Sequence, residues 1–388
     1  MEWLDMDENR ISRVCLCLVA AVLGFVRFLG SAEAGIVPAW PSAQSAVPRQ
    51  GPAVEGPTED VTKRLSDFEQ LISFNFEQNR FAEERDARAE YAAFLATVFG
   101  ENDWHTVTQR LYHLSVKQIC TLNEEGRSAI AKARKSGSDG GQLKNRRDYR
   151  AALVEFDDAF ETYKRLLGRD DIWTIAMLVR IAEVQQSAGN FKEAKARWSE
   201  VVPLVKVLYG EQSPCYAQPL QSLGVCNLNL GLYEEAEAQL RRSLEIQKTT
   251  NGAESYEATI GYYHLARLYN CSGHFDKAEV EAKNAVSVLS RMLPEKYKEY
   301  LLIQWQLGKS CCEQGKYTDA LAASGRAIQL METLRTTPPN DVHAEILDVH
   351  AMSLRKLRRD EQAKPFEEKA KALRARSVAA KGQQAHAK

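Results

Sequence analysis

Gly189-Asn-Phe-Lys-Glu-Ala194 is followed by Gly231-Leu-Tyr-Glu-Glu-Ala236, Gly273-His-Phe-Asp-Lys-Ala278 and Gly315-Lys-Tyr-Thr-Asp-Ala320. The four phrases share glycine, an aromatic residue and alanine at fixed offsets, and they recur every 42 residues. A fixed internal period of this size marks a stacked repeat, in which each unit buries its apolar face only against its neighbours. Two more ladders keep the same spacing: Ile181, Leu223, Leu265, Leu307 and, beside them, Ala182, Gly224, Ala266, Gly308. Apolar residues on either side of each glycine recur at helical spacing, as in Ala236 to Lys248, so each period holds two helices. Glycine at the turn supplies the positive backbone angle that ends the first helix. The alanine and glycine ladders let the two helices of a hairpin approach closely, and Phe191, Tyr233, Phe275 and Tyr317 fill the space near the turn. The expected fold is all-α, a right-handed superhelical solenoid of stacked antiparallel helix hairpins.

This pattern of Leu-Gly/Ala followed by Gly-x-Tyr/Phe-x-x-Ala resembles the tetratricopeptide repeat over most of the chain after residue 60. The usual unit has about 34 residues. The longer period, with the connector Leu208 to Pro214 and glycines at 168, 210 and 252, looks like the kinesin-light-chain subtype. Weaker copies of the phrase stand at Asn79 to Glu84, with glutamate in the alanine slot, at Arg147 to Ala152, with arginine in the glycine slot, and at Arg358 to Ala363. About seven hairpins follow from this count, the outer ones degraded as terminal repeats are. An insertion is expected at about 121–146, where Ser136-Gly-Ser-Asp-Gly-Gly141 reads as a solvated loop.

Ahead of the repeats, Val14 to Val26 form an unbroken apolar run between Arg13 and Arg27. That is short for a spanning helix of about 20 residues, and Ala32-Glu-Ala34 matches a small-x-small cleavage site. Residues 1–34 are therefore expected to be a signal peptide or anchor, cut before Gly35, although the segment before Arg13 is acidic. Residues 35–60 read as a linker rich in proline, alanine and serine, residues 61–376 as the repeat domain, and residues 377–388 as a disordered basic tail. The chain is expected to be exported or membrane-anchored, with a cytoplasmic adaptor as the alternative.

Lysine plus arginine (51) balance aspartate plus glutamate (52) among the 388 residues, so there is no overall electrostatic pull towards nucleic acid or membrane. Basic residues gather only after His350, which reads as a solvated capping helix followed by the tail. The eight cysteines show no zinc-ligand spacing, and free thiols within helices pack as small apolar groups. Of the neighbours Cys311 and Cys312, one at most is expected to be buried. There is no phosphate loop, no Gly-x-Ser-x-Gly elbow and no His-Glu-x-x-His, so no cofactor, metal or catalytic residue is expected. Acidic pairs such as Asp170-Asp171 and Glu234-Glu235 sit where they oppose a helix dipole.

The resemblance implies a peptide groove lined by the first helix of each hairpin. Its contact positions, two before and two after the ladder leucine, fall on Val179 and Glu183, Gln221 and Val225, Tyr263 and Arg267, Trp305 and Lys309. The last two pairs repeat an aromatic and then a basic residue, with Asn229 and Asn270 further along the same helices. Such a strip suits an acidic peptide or a carboxylate; the same aromatics could equally pack against the next hairpin. The family's carboxylate clamp is incomplete. The expected function is a non-enzymatic scaffold for a protein or extended peptide partner; an enzyme-associated module is the less favoured reading.

Overall fold

The structure is a computed structural model that describes residues 59–293, 296–334 and 340–386. The expected leader at 1–34 and the linker as far as residue 58 lie outside the described residues. Fifteen α-helices occur among the described residues, with no strand. The chain divides into two compact units, one ending at Cys226 and one beginning at Asn227.

In the first unit, hairpins are formed by α1 (Glu59–Glu77) with α2 (Phe81–Phe99), α4 (Glu124–Asn145) with α5 (Tyr149–Leu167), and α6 (Ile172–Ser187) with α7 (Phe191–Tyr209). Helix α3 (Trp104–Thr121) lies between the first two and packs chiefly on α2. Helix α8 (Pro214–Asn229) runs across the boundary, and the Gly231 turn leads into α9 (Tyr233–Asn251). The second unit continues with α10 (Tyr256–Ser272) and α11 (Phe275–Leu289), α12 (Tyr297–Glu313) and α13 (Tyr317–Thr333), and α14 (Asn340–Lys356) and α15 (Asp360–His386). The paired ladders sit where the period demands. Ala152, Ala194, Ala236, Ala278 and Ala320 are fully buried, as are Ile181, Ala182 and Ala266. A methyl group on Gly308 would meet Val349 Cγ1 at 3.0 Å, so glycine here allows a close approach of helices. Of the turn aromatics, Phe191, Phe275 and Tyr317 are half-buried, while Tyr233 is exposed.

Turn chemistry explains the helix ends. Gly189, Gly231, Gly273 and Gly315 take φ of +82°, +76°, +79° and +75°, the left-handed region that glycine enters without steric cost. Where the phrase has lost its glycine, Asn79, Arg147 and Arg358 still adopt φ of +52°, +61° and +61°. The turn is thus imposed by the packing of the hairpin and not by the residue at its apex. At the other ends, Asp103 and Asp171 accept from the amides of His105 and Trp173 at 2.9 Å each, and Ser255 accepts from Ala258 at 3.1 Å. These are N-caps, which satisfy helix donors that have no partner inside the helix.

Three expectations are corrected. Ser136 to Gly141 form part of α4 and not a loop. Gly140 lies one period before Ala182 and extends the small-residue ladder; a methyl group there would meet the Phe156 ring at 3.0 Å. The small, polar composition suits a helix face pressed on α5. Cys311 and Cys312 are both buried, because α12 packs against α11 on one side and against α13 and α14 on others. The tail expected from residue 377 continues α15 as far as His386, consistent with the high helix propensity of its alanines and lysines.

Glutamate in the alanine slot also finds its reason in the first unit. Glu84 is fully buried and accepts from Arg88 Nε at 2.8 Å and from Arg134 of α4 at 2.7 Å. Arg88 faces the rings of Tyr112 and Trp173, and Arg134 those of Phe76 and Phe81, at 4.0–5.7 Å. The core of this unit gathers around Trp173, Trp198, Tyr112, Tyr163 and Phe156. The second unit has instead several smaller clusters between neighbouring helices, as stacked hairpins require.

Candidate functional site

Helices α10 and α12 are first helices of successive hairpins, and they pack on each other. Tyr263 and Trp305 occupy one register on them, and Arg267 and Lys309 another, four residues further on. Four residues is about one helical turn, or roughly 6 Å of rise, so each aromatic and the cation after it share a face. All four side chains are half-buried. Arg267 donates to Asn229 Oδ1 at 2.7 Å, a neutral acceptor, so this bond leaves its charge uncompensated. Lys309 has no ion pair among the described residues. Several other cations of this unit are paired with carboxylates. Arg241 is paired with Glu237, Lys283 and Lys316 both with Glu279, Arg355 with Glu367 and Arg374 with Asp348.

Below the aromatic row, a cavity of about 180 Å³ opens between α10 and α12, lined by Thr259, Ile260, Tyr263, His264, Leu289, Glu299, Leu302 and Ile303. Burial pushes the Tyr263 phenol up. Burial, with Arg267 adding to it, pushes the His264 imidazole down to about 3, so it is neutral at ordinary pH. Its Nδ1 and the Trp305 Nε1 are buried without a protein partner. Glu299 accepts from the Tyr256 hydroxyl at 2.8 Å. The cavity itself is lined by apolar groups, a neutral imidazole and the Glu299 carboxylate; outside it, the aromatic rings and the two cationic heads can hold a chain with apolar and anionic groups. They do not assemble a nucleophile beside a base and an orienting partner, the arrangement that nucleophilic catalysis uses.

The other expected contact residues are placed differently. Asn270 is buried, and its Nδ2 donates to the Gln306 carbonyl and to Gln306 Oε1, both at 2.9 Å. It ties α10 to α12 and does not face a groove. Asn229 stands two residues before its turn glycine and Asn270 three before, which accounts for their different surroundings. In the first unit, Glu183 binds Lys144 at 2.6 Å and Arg180 at 3.2 Å. Burial raises its carboxyl, and the two cations outweigh that and lower it. Its charge is consumed within the fold. Gln221 is half-buried on α8, while Val179 and Val225 are buried. The cavity and the lack of ion pairs around Lys309 were beyond sequence reasoning, since both depend on how two helices 42 residues apart meet.

Among the described residues there is no cluster of histidine, cysteine, aspartate and glutamate able to hold a metal ion, and no helix long and apolar enough to cross a membrane.

Residues 143–172 and 173–249 match two family models, each described as a tetratricopeptide repeat. Among curated proteins none matches the chain. Solved structures that resemble it include BtubC (BKLC) from P. vanneervenii, with 16% identity, a TM-score of 0.48 and coverage of 72% of this chain and 94% of that one. A putative kinesin light chain with nearly identical TPR-like repeats from Podosopora anserina has 18% identity, a TM-score of 0.44 and coverage of 52% and 94%. A tetratricopeptide repeat protein from Parabacteroides merdae has 14% identity, a TM-score of 0.44 and coverage of 81% and 92%. Residues 143–249 thus carry tetratricopeptide repeats, and the 42-residue period that includes them continues to Gly315, kinesin light chain-like in the length of its unit.

Proposed function

We propose that this protein is a non-enzymatic scaffold that binds an acidic protein segment or extended peptide on the face shared by α10 and α12. One observation carries the reading. Arg267 and Lys309 lie one turn beyond half-buried aromatics on neighbouring helices, and neither cation is paired with a carboxylate among the described residues. Charge-assisted bonds to an incoming carboxylate would then be gained on binding and not exchanged for internal ones. Tyr263 and Trp305 supply rigid apolar area at low entropic cost. The fold supports the same reading in general terms, since repeat stacks present extended surfaces for partners.

The test is quantitative capture of partners from the native host, after crosslinking, by the wild-type chain and by the double variant Arg267→Ala/Lys309→Ala, with helicity checked by circular dichroism. Loss of two charge-assisted contacts, at about 1.5–3 kcal/mol each, predicts capture at least tenfold weaker with helicity retained. Equal capture by both proteins removes the reading. Export is a second part of the proposal and rests on residues 14–34 alone. Mass spectrometry of the mature chain should find Gly35 at its start; an intact amino terminus favours the cytoplasmic adaptor.

A further inference from the structure

Helix α4 has the sequence least suited to a helix in the repeat domain. Ser136, Gly137, Ser138, Asp139, Gly140 and Gly141 follow one another in its second half. Each glycine costs about 1 kcal/mol against alanine inside a helix, and serine and aspartate are also weak formers. Such a segment is helical only when it is held from outside. Burial of Ile130 and Ala133 in the core of the unit does so, and three further contacts add to it. Gly140 sits against the Phe156 ring of α5. Lys144 Nζ binds Glu183 of α6 at 2.6 Å. Arg134 binds Glu84 of α2 at 2.7 Å and donates to the Phe76 carbonyl of α1 at 3.1 Å.

The third contact is matched on both sides. Glu84 stands where the other hairpins of the period have alanine, and Glu84 and Arg134 are both buried. Alanine there would leave Arg134 a buried cation with no carboxylate. The departure from the repeat in α2 thus serves a helix fifty residues away. Helix α3 does not replace α4 on α5. Counted from its capping Asp103 as Ala182 is counted from Asp171, its small-residue position falls on Leu114, which is exposed.

We propose that α4 is a latched helix: residues 124–145 detach from the first unit as one segment, governed by the Glu84–Arg134 link, and uncover the face of α5 that carries Ala152, Phe156 and Ala159. The opening is sub-global, as for other segments of low intrinsic stability within a folded unit. The rest of α5 and α6 stays folded, because most of α6 is buried, Ile172 to Val179 without a break, and it holds its own core contacts.

Amide hydrogen exchange of the full chain, followed by mass spectrometry, tests this. In the wild type, peptides within 124–145 should exchange at least tenfold faster than those of α6. In Glu84→Gln, exchange of 124–145 should rise further while α6 is unchanged. In Gly141→Ala, at a half-exposed position, it should slow about fivefold, the effect of about 1 kcal/mol of helix propensity. If 124–145 and 149–187 exchange at one rate in the wild type, the first unit opens as a whole and the latch does not exist. If Glu84→Gln raises both segments together, or Gly141→Ala changes neither, the result is equally contrary. Should Glu84→Gln fail to fold, the wild type and Gly141→Ala decide the matter between them.

Discussion

Glu84 shows how one residue can break the pattern of a repeat and still be required by it. A carboxylate at a packed alanine position is tolerated because two guanidinium groups meet it there. Removing one member of such a buried set leaves an uncompensated charge, at a cost of about 3–5 kcal/mol. Glu84→Ala restores the residue that the repeat prefers. It should nevertheless lower the unfolding free energy of the first unit, read from urea titration, by that amount, and a loss under about 1 kcal/mol would mean that the ions are not enclosed as described. His264 makes a prediction of a different kind. Its imidazole lies at about 3 in the fold against 6.5 in the unfolded chain, through burial and then Arg267. The unfolded state therefore takes up a proton that the folded state refuses, so stability is full above pH 6.5 and falls as the pH drops towards 3. Replacing His264 with phenylalanine should flatten the dependence of urea stability on pH across that window; an unchanged slope would place the imidazole in contact with water.

At the scale of helices and turns, the glycine phrases make the hairpins legible in the sequence, because a positive φ at a helix end has few solutions other than glycine. Asn79, Arg147 and Arg358 reach the same conformation without it. Arg147→Gly and Arg358→Gly should therefore stabilise the fold, by up to about 1–2 kcal/mol, the cost of a left-handed conformation for a residue with a side chain. A rise in melting temperature checks this, and a fall would show that the arginine side chains contribute contacts that glycine lacks. Other elements were harder to read. Gly140 stands in the register of Ala182, one period earlier, yet a run of serine and glycine reads as a loop on composition alone. Glu84 could be seen to depart from the repeat, but Arg134, which explains the departure, is remote in sequence. Asn270 and Asn229 look alike in the chain and differ by one residue of register, which buries the first. The strip of Tyr263, Arg267, Trp305 and Lys309 was legible because period and helical spacing fix it together; its partner is a property of another molecule.

On the scale of the molecule, each compact unit is stable only as far as its neighbouring hairpins support one another. Leu265 is buried on α10, and its replacement by alanine should cost about 2–5 kcal/mol, read as a lower urea midpoint for the second unit. A neutral cost would mean that the hairpins there do not rely on mutual packing. The same architecture explains why buried thiols such as Cys215 and Cys226 are pushed well up by burial and serve as packing atoms and not as nucleophiles. What the stack offers is surface, and the central claim concerns which surface is used. A photo-crosslinking phenylalanine derivative placed at Lys309, and in a second protein at Val280, which is exposed on α11, tests it directly. Crosslinked partner at position 309 and none at 280 is the predicted result; equal crosslinking at both positions, or partner found only at 280, would contradict it.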